Sequence, residues 1–364
     1  MPEALAQYVR HPMIRALLQF SFPELSLEEI EKRVLACRSI RDFQASIIYY
    51  SVQKVLEKSS EGLSYSGFEN LQKDEAYLYI SNHRDIILDT SLLNCVLFET
   101  DLVMTASAIG DNLVKKPFLL ALSKLNRNFL VRRGLGPREM LKSSQKLSDY
   151  ISKLLLQDKR SVWMAQREGR TKDGSDHTQQ GVLKMLAMAR GDQSLAEYFG
   201  KLKIVPVSIS YEFDPTDVLK MPELLAKRME QTYIKSANED FNSILKGALG
   251  NKGRIHIQAG QPIPASVLSE LEQGSSSVND HLQRLTTYLD EAIHSNYKLW
   301  PANYIACDLL EGEENFSHKY TSKEKRQFER RLKRRVDATN SLAVNSYLLM
   351  YANPVIHQQR LHEK

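Results

Sequence analysis

An α/β fold is what this sequence predicts: a central, mostly parallel sheet flanked by helices, with helical extensions at the N- and C-terminal ends. Two observations carry that expectation. From Tyr77 to Gly260, short runs rich in β-branched and aromatic residues alternate with stretches of helical periodicity. On either side of that region only helical periodicity appears. The expected organisation is an N-terminal helical region over 1–70, an α/β domain over 71–263 and a C-terminal helical region over 264–364.

Taken in order, Leu27, Ile30, Val34 and Leu35 recur at helical spacing, behind a Ser26-Glu28-Glu29 helix start. Ile40, Phe43, Ile47, Ile48, Val52, Val55 and Leu56 make a second apolar stripe. Gly62, Ser64, Ser66 and Gly67 read as a connection. Six strands are then expected, at 77–81, 102–107, 128–133, 161–165, 203–212 and 254–260. Helices are expected between them over 92–97, 116–125, 137–156 and 178–190. Beyond the last strand the chain reads as a helix over 281–297, followed by a basic stretch from Lys319 to Arg335.

Composition narrows the class. In 364 residues, 42% are hydrophobic and 26% charged, close to the globular average, which excludes disordered, collagenous and disulfide-scaffold chains. Lys and Arg outnumber Asp and Glu 49 to 44, a mild basic excess that suits anionic partners without naming one. Cys37, Cys95 and Cys307 are odd in number and match neither a metal-ligand spacing nor a disulfide framework, so a reducing compartment is expected. No run reaches the roughly 18 apolar residues of a membrane span, and the N-terminus lacks the pattern of a signal peptide. The expectation is a cytoplasmic protein, soluble or peripheral on the inner face of the membrane.

Three places carry residues fit for chemistry. In SNHRDIILDTSLL (81–93), His83 follows a strand, at the carboxyl end where open α/β sheets place ligands. Asp85 and Asp89 lie close enough in sequence to orient its ring, which a general base requires. The plainer reading is a surface histidine in a loop, with Asp85 capping the next helix. In NFLVRR (128–133), Arg132 and Arg133 end an apolar strand; they either flank a turn or bind an anion bidentately. In WMAQREGRTKDG (163–174), Glu168, Gly169, Arg170 and Lys172 make a charged turn in which Gly169 permits close backbone approach. Pro206, inside IVPVSISYE (204–212), would on its own demote that run to an edge strand or a bulge.

Taken in order from His83 to Tyr211, these four blocks resemble those of the glycerolipid acyltransferases, the glycerol 3-phosphate and 1-acylglycerol 3-phosphate acyltransferases. The fourth block is especially similar to the glycerol 3-phosphate branch, and the helical N-terminal region to the soluble plastid-type enzymes. The family has four residues between its histidine and aspartate where this chain has five between His83 and Asp89. The resemblance implies His83 as general base, with Asp89 as its partner ahead of Asp85. It also implies Arg132, Arg133, Glu168, Gly169, Arg170 and Lys172 as the residues that bind the phosphorylated acceptor. The donor it implies is an acyl thioester, acyl-CoA or acyl carrier protein, used as co-substrate with no cofactor and no metal. Acyl transfer to an amine fits less well with phosphate-binding arginines. A non-catalytic phospholipid- or anion-binding protein on the same scaffold is the alternative.

The basic stretch 319–335 reads first as a solvated or partner-facing helix, with Phe328, Leu332 and Val336 spaced four apart. Docking on an anionic membrane surface comes next. Nucleic acid is not expected as a partner, because no recognition motif or stacking platform accompanies the charge.

Overall fold

The computed structural model describes residues 2–236 and 238–363. The N-terminal region is helical: α1 (Pro2–Val9), α2 (Pro12–Ser21), α3 (Leu27–Leu35), α4 (Ile40–Phe43) and α5 (Tyr49–Ser59), the last two joined by a π-helical stretch over Gln44–Ile48. Ser26 caps α3 in a reciprocal box with Glu29, as the sequence signature implies. The apolar faces of these helices close on one another through Leu5, Leu18, Ile30, Val34 and Ile47.

Strands and helices then alternate: β1 (Leu63–Ser66), β2 (Leu78–Ser81), α6 (Leu88–Glu99), β3 (Thr105–Gly110), α7 (Pro117–Leu125), β4 (Asn128–Val131), α8 (Pro137–Leu156) and β5 (Ser161–Ala165). They continue as α9 (Gln180–Leu186), α10 (Leu195–Leu202), β6 (Ile204–Tyr211), α11 (Asp217–Arg228), α12 (Glu239–Leu249) and β7 (Ile255–Ala259). The C-terminal region is α13 (Ala265–Gln273), α14 (Val278–Ser295), α15 (Pro301–Glu311), α16 (Ser322–Arg335) and α17 (Ser341–His362).

Among the described residues the strands form one seven-stranded sheet in the order β1-β7-β6-β2-β5-β3-β4, parallel except for the β6–β7 pair. Alternate residues of the central strands face opposite layers. Leu78, Ile80, Val162 and Met164 pack under α8, α9, α10, α13 and α14. Tyr79, Trp163, Val205 and Val207 pack under α5 and α6. Burial on both faces is why these strands read as continuous apolar runs.

Several expectations need correction. The run at 63–66 is not a connection. It is the edge strand β1, paired in parallel with β7, so the sheet begins within the region expected to be N-terminal and helical. A Cβ on Gly67, which sits at φ +83°, would meet the Ala259 carbonyl, so glycine closes β1 against β7. The second strand starts at Thr105 and not at 102, because the Leu102 N–H turns back to the Leu97 carbonyl (2.8 Å) to finish α6. The third strand stops at Val131. Pro206 lies in a central strand. Its carbonyl accepts from Gly260 N (2.8 Å), so its missing N–H faces the side where the β6–β7 register begins only at Val207, and no ladder bond is lost.

Candidate active site

The chain leaving β2 is fastened before it reaches His83. The Asn82 amide donates to the Ile209 carbonyl (3.0 Å) and its Oδ1 accepts from Ile209 N (2.8 Å), tying the end of β2 to β6. On the other side, Thr171 N donates to the His83 carbonyl (2.7 Å). The imidazole is thereby held at the carboxyl edge of the sheet, above the strand order β6-β2-β5. Its ring stands at 72° to that of Trp163, centroids 5.5 Å apart, and the Trp163 indole N–H donates to Ser81 Oγ (2.9 Å).

His83 Nδ1 lies 2.7 Å from Asp89 Oδ2. Asp89 is fully buried in the first turn of α6, where the helix dipole favours a carboxylate. Oδ2 also accepts from Arg84 N (2.6 Å) and Asp85 N (3.0 Å), and Oδ1 accepts from the Tyr211 hydroxyl (2.8 Å). A carboxylate bound in this way fixes the ring tautomer with Nδ1–H toward it. Nε2 makes no hydrogen bond among the described residues, and 13% of the His83 side chain is exposed. Nε2 is therefore the ring nitrogen left open to a ligand.

Asp85, the other possible partner, turns away and caps α6. Its Oδ1 accepts from Ile87 N (3.0 Å) and Leu88 N (2.9 Å). Its Oδ2 has no partner among the described residues. Burial, then the neighbouring Asp89 charge, push its carboxyl above the ordinary range. The fifth intervening residue is therefore absorbed by a capped turn, which brings Asp89 back to the ring.

The cations expected to bind phosphate do not form one cluster. Arg170 is buried beside this site, its Nη1 3.4 Å from Thr216 Oγ1, and its charge is close enough to Asp85 to oppose the rise in that carboxyl. Lys172 follows it, ion-paired to Glu223 at 2.7 Å. Gly169, at φ +71°, turns the loop that carries both. Arg133 pairs with Glu168 at the rim, so Glu168 has a protein partner. Arg132 goes elsewhere: it is exposed and lines a groove beside α8. Successive residues leaving a strand point to opposite sides, so the two arginines do not close on one anion.

Several residues of the site carry no signal in the motifs. Tyr211 ends β6 at the same sheet edge as His83; position at a strand's carboxyl end was the only available sign. Arg84 is buried, ion-paired to Asp176 and stacked over the Tyr297 ring (5.6 Å). Lys220 is buried and ion-paired to Asp214. Burial lowers its ammonium pKa, the Asp214 charge opposes that, and Arg170 and Arg84 add to the lowering. Among the described residues no group of three or more His, Cys, Asp or Glu side chains is placed to hold a metal ion.

A large apolar cavity of about 470 Å³ adjoins the site. It runs between the N-terminal helices and the α6–α7 layer, is closed on one side by α12, and reaches the turn after His83 at Ile86 and Ile87. Leu17, Val52, Phe98, Phe118 and Leu245 are among its walls. No described helix is long and apolar enough to cross a membrane.

A strand-edge histidine with a buried carboxylate partner thus stands near a large apolar cavity. Residues 62–210 match the family model described as Acyltransferase. Among solved structures, the chain is similar to the 1-acyl-sn-glycerophosphate (LPA) acyltransferase PlsC from Thermotoga maritima. The identity is 14%, the match covers 80% of this chain and 95% of that one, and the TM-score is 0.40. No curated protein matches.

Proposed function

We propose that this protein transfers a fatty acyl group from an acyl thioester to a hydroxyl of glycerol 3-phosphate or 1-acylglycerol 3-phosphate. The observation that carries the reading is the 2.7 Å contact between His83 Nδ1 and Asp89, which leaves Nε2 free three residues before Ile86, where the apolar cavity begins. Nε2 takes the hydroxyl proton as the oxygen attacks the thioester carbonyl. The tetrahedral adduct collapses, the carbon–sulfur bond breaks, and the imidazolium returns its proton to the departing thiolate. Asp89 holds the ring and its charge throughout. General base catalysis of this kind contributes about 100- to 10,000-fold.

Arg170 and Lys172 are the cations best placed to hold the acceptor phosphate, with Arg133 at the rim once Glu168 yields it. The cavity is of a size for a small-molecule tail, and the acyl chain is its natural occupant. The non-catalytic alternative rested on the five-residue spacing; a close His83–Asp89 contact across that spacing favours catalysis. Purified protein given labelled acyl-CoA or acyl carrier thioester, and each acceptor in turn, tests the proposal. An acylated phosphoglycerol product is expected. Thioester hydrolysis alone, or no turnover with any pair, would contradict it.

A further inference from the structure

Arg132, which parts company with Arg133, stands in a groove of about 420 Å³ between the edge strand β4 and α8. Lys142, Lys146 and Tyr150 are four apart and share the face of α8 that borders this groove. Phe129 and Leu147 line it as well, with the Tyr150 ring edge-on to Phe129 at 5.6 Å. Tyr150 is 44% exposed. Arg132, Lys142 and Lys146 are all exposed and make no ion pair among the described residues. The groove is lined by a single acid, Glu139. Like charges four apart on a helix oppose folding slightly, so the fold gains nothing from collecting these cations here.

Three unpaired cations around an aromatic platform, in a concavity of small-molecule size, suit a ligand with several phosphates and a flat ring. The groove lies at the end of the same strand whose next residue reaches the site's loop. Arg133, the next residue after Arg132, pairs with Glu168, and that loop goes on to Thr171, which binds the His83 carbonyl. We propose that this groove holds the phosphorylated adenosine end of a coenzyme A thioester, with Arg132, Lys142 and Lys146 on its phosphates and Tyr150 against its adenine. This rests on the reading that the protein uses an acyl thioester donor. It places donor phosphates on Arg132 and leaves acceptor phosphate to Arg170 and Lys172. A carrier protein would dock through a broad surface, whereas these cations gather along a single groove beside α8.

The test is titration calorimetry with adenosine 3′,5′-bisphosphate and with coenzyme A at low salt, on wild type and on Lys142→Gln/Lys146→Gln. Both lysines are exposed, so the double variant should keep its fold, which circular dichroism checks. Wild type should bind both ligands, and the double variant should bind them at least tenfold more weakly. In steady-state assays its KM for acyl-CoA should rise at least tenfold while that for the acceptor changes less than twofold. No binding of either nucleotide, equal binding by the double variant, or transfer from carrier thioester alone would overturn the proposal. If nucleotide binds and the variant loses it, yet no acyl transfer occurs, the functional reading fails and the groove stands. If acyl-CoA is used with an unchanged KM by the variant, the groove fails and the functional reading stands.

Discussion

Tyr211 donates its hydroxyl, at 2.8 Å, to the Asp89 oxygen that His83 does not use. Burial, reinforced by the Asp89 charge, raises the phenol well above its ordinary range, so it remains a donor at any working pH. With two backbone N–H groups on the other oxygen, the carboxylate is held from both ends while fully buried. Such a network replaces the water that Asp89 gave up on folding.

Tyr211→Phe removes this bond and little volume. The turnover number should fall about tenfold while the Michaelis constants change little, because the ring loses alignment and not its substrates. Unfolding in urea should show a loss of about 1–3 kcal/mol, the cost of leaving a buried acceptor unsatisfied. Unchanged turnover would remove Tyr211 from the relay.

The two aspartates should separate cleanly. Asp89→Asn should lower turnover at least about a hundredfold, by releasing the imidazole tautomer. Asp85→Asn should keep most activity, since asparagine also caps helices. Its effect should appear in stability. A carboxyl raised in the folded state contributes stability at low pH that is lost as pH rises through the folded value. Asp85→Asn should therefore gain on wild type in urea midpoint as pH rises above the ordinary carboxylate range. If Asp85→Asn is the more damaging to turnover, the wrong partner has been assigned to His83.

The sheet was largely legible because parallel strands buried on both faces appear as apolar runs such as Val162–Met164 and Ile204–Val207. β1 was not, because LSYS is short and polar; Ser64 and Ser66 face His256 across the edge at 2.9 and 3.0 Å. His83 and Asp89 could be singled out since both lie in one segment. The cavity could not, because its walls come from helices as distant as α2 and α12. Reading Arg132 with Arg133 as one clamp ignored the two-residue alternation of a strand end.

Filling the cavity should change chain-length preference. Ala248 lines it from α12. Ala248→Trp should depress kcat/KM for long acyl donors and spare short ones. Each methylene denied burial costs about 0.8 kcal/mol, roughly fourfold. A series of donors of increasing length measures this; an equal loss at every length would place the chain elsewhere.

The basic helix α16 divides into two sets. Arg331 binds the buried Asp217 (2.7 Å) and the Asp214 carbonyl (3.0 Å), and Arg335 lies 3.6 Å from Asp217. Arg331→Gln should destabilise by about 3 kcal/mol, as expected when a buried ion loses its partner. Arg326, Arg330, Lys333 and Arg334 are exposed. Changing those four to Gln should leave stability nearly intact and abolish salt-sensitive sedimentation with anionic vesicles, to which each basic residue contributes about 1 kcal/mol. Equal sedimentation by the variant would assign α16 to internal packing.

The most direct test is the rate of acyl transfer to glycerol 3-phosphate or 1-acylglycerol 3-phosphate by His83→Ala beside wild type, with thermal unfolding recorded for both. The imidazole is held at the edge of the sheet and not within its core, so the variant should fold with a similar midpoint and lose at least about a hundredfold in turnover. A folded variant that keeps more than about a tenth of wild-type turnover, well short of the loss a general base implies, would contradict the assignment of His83 as the base.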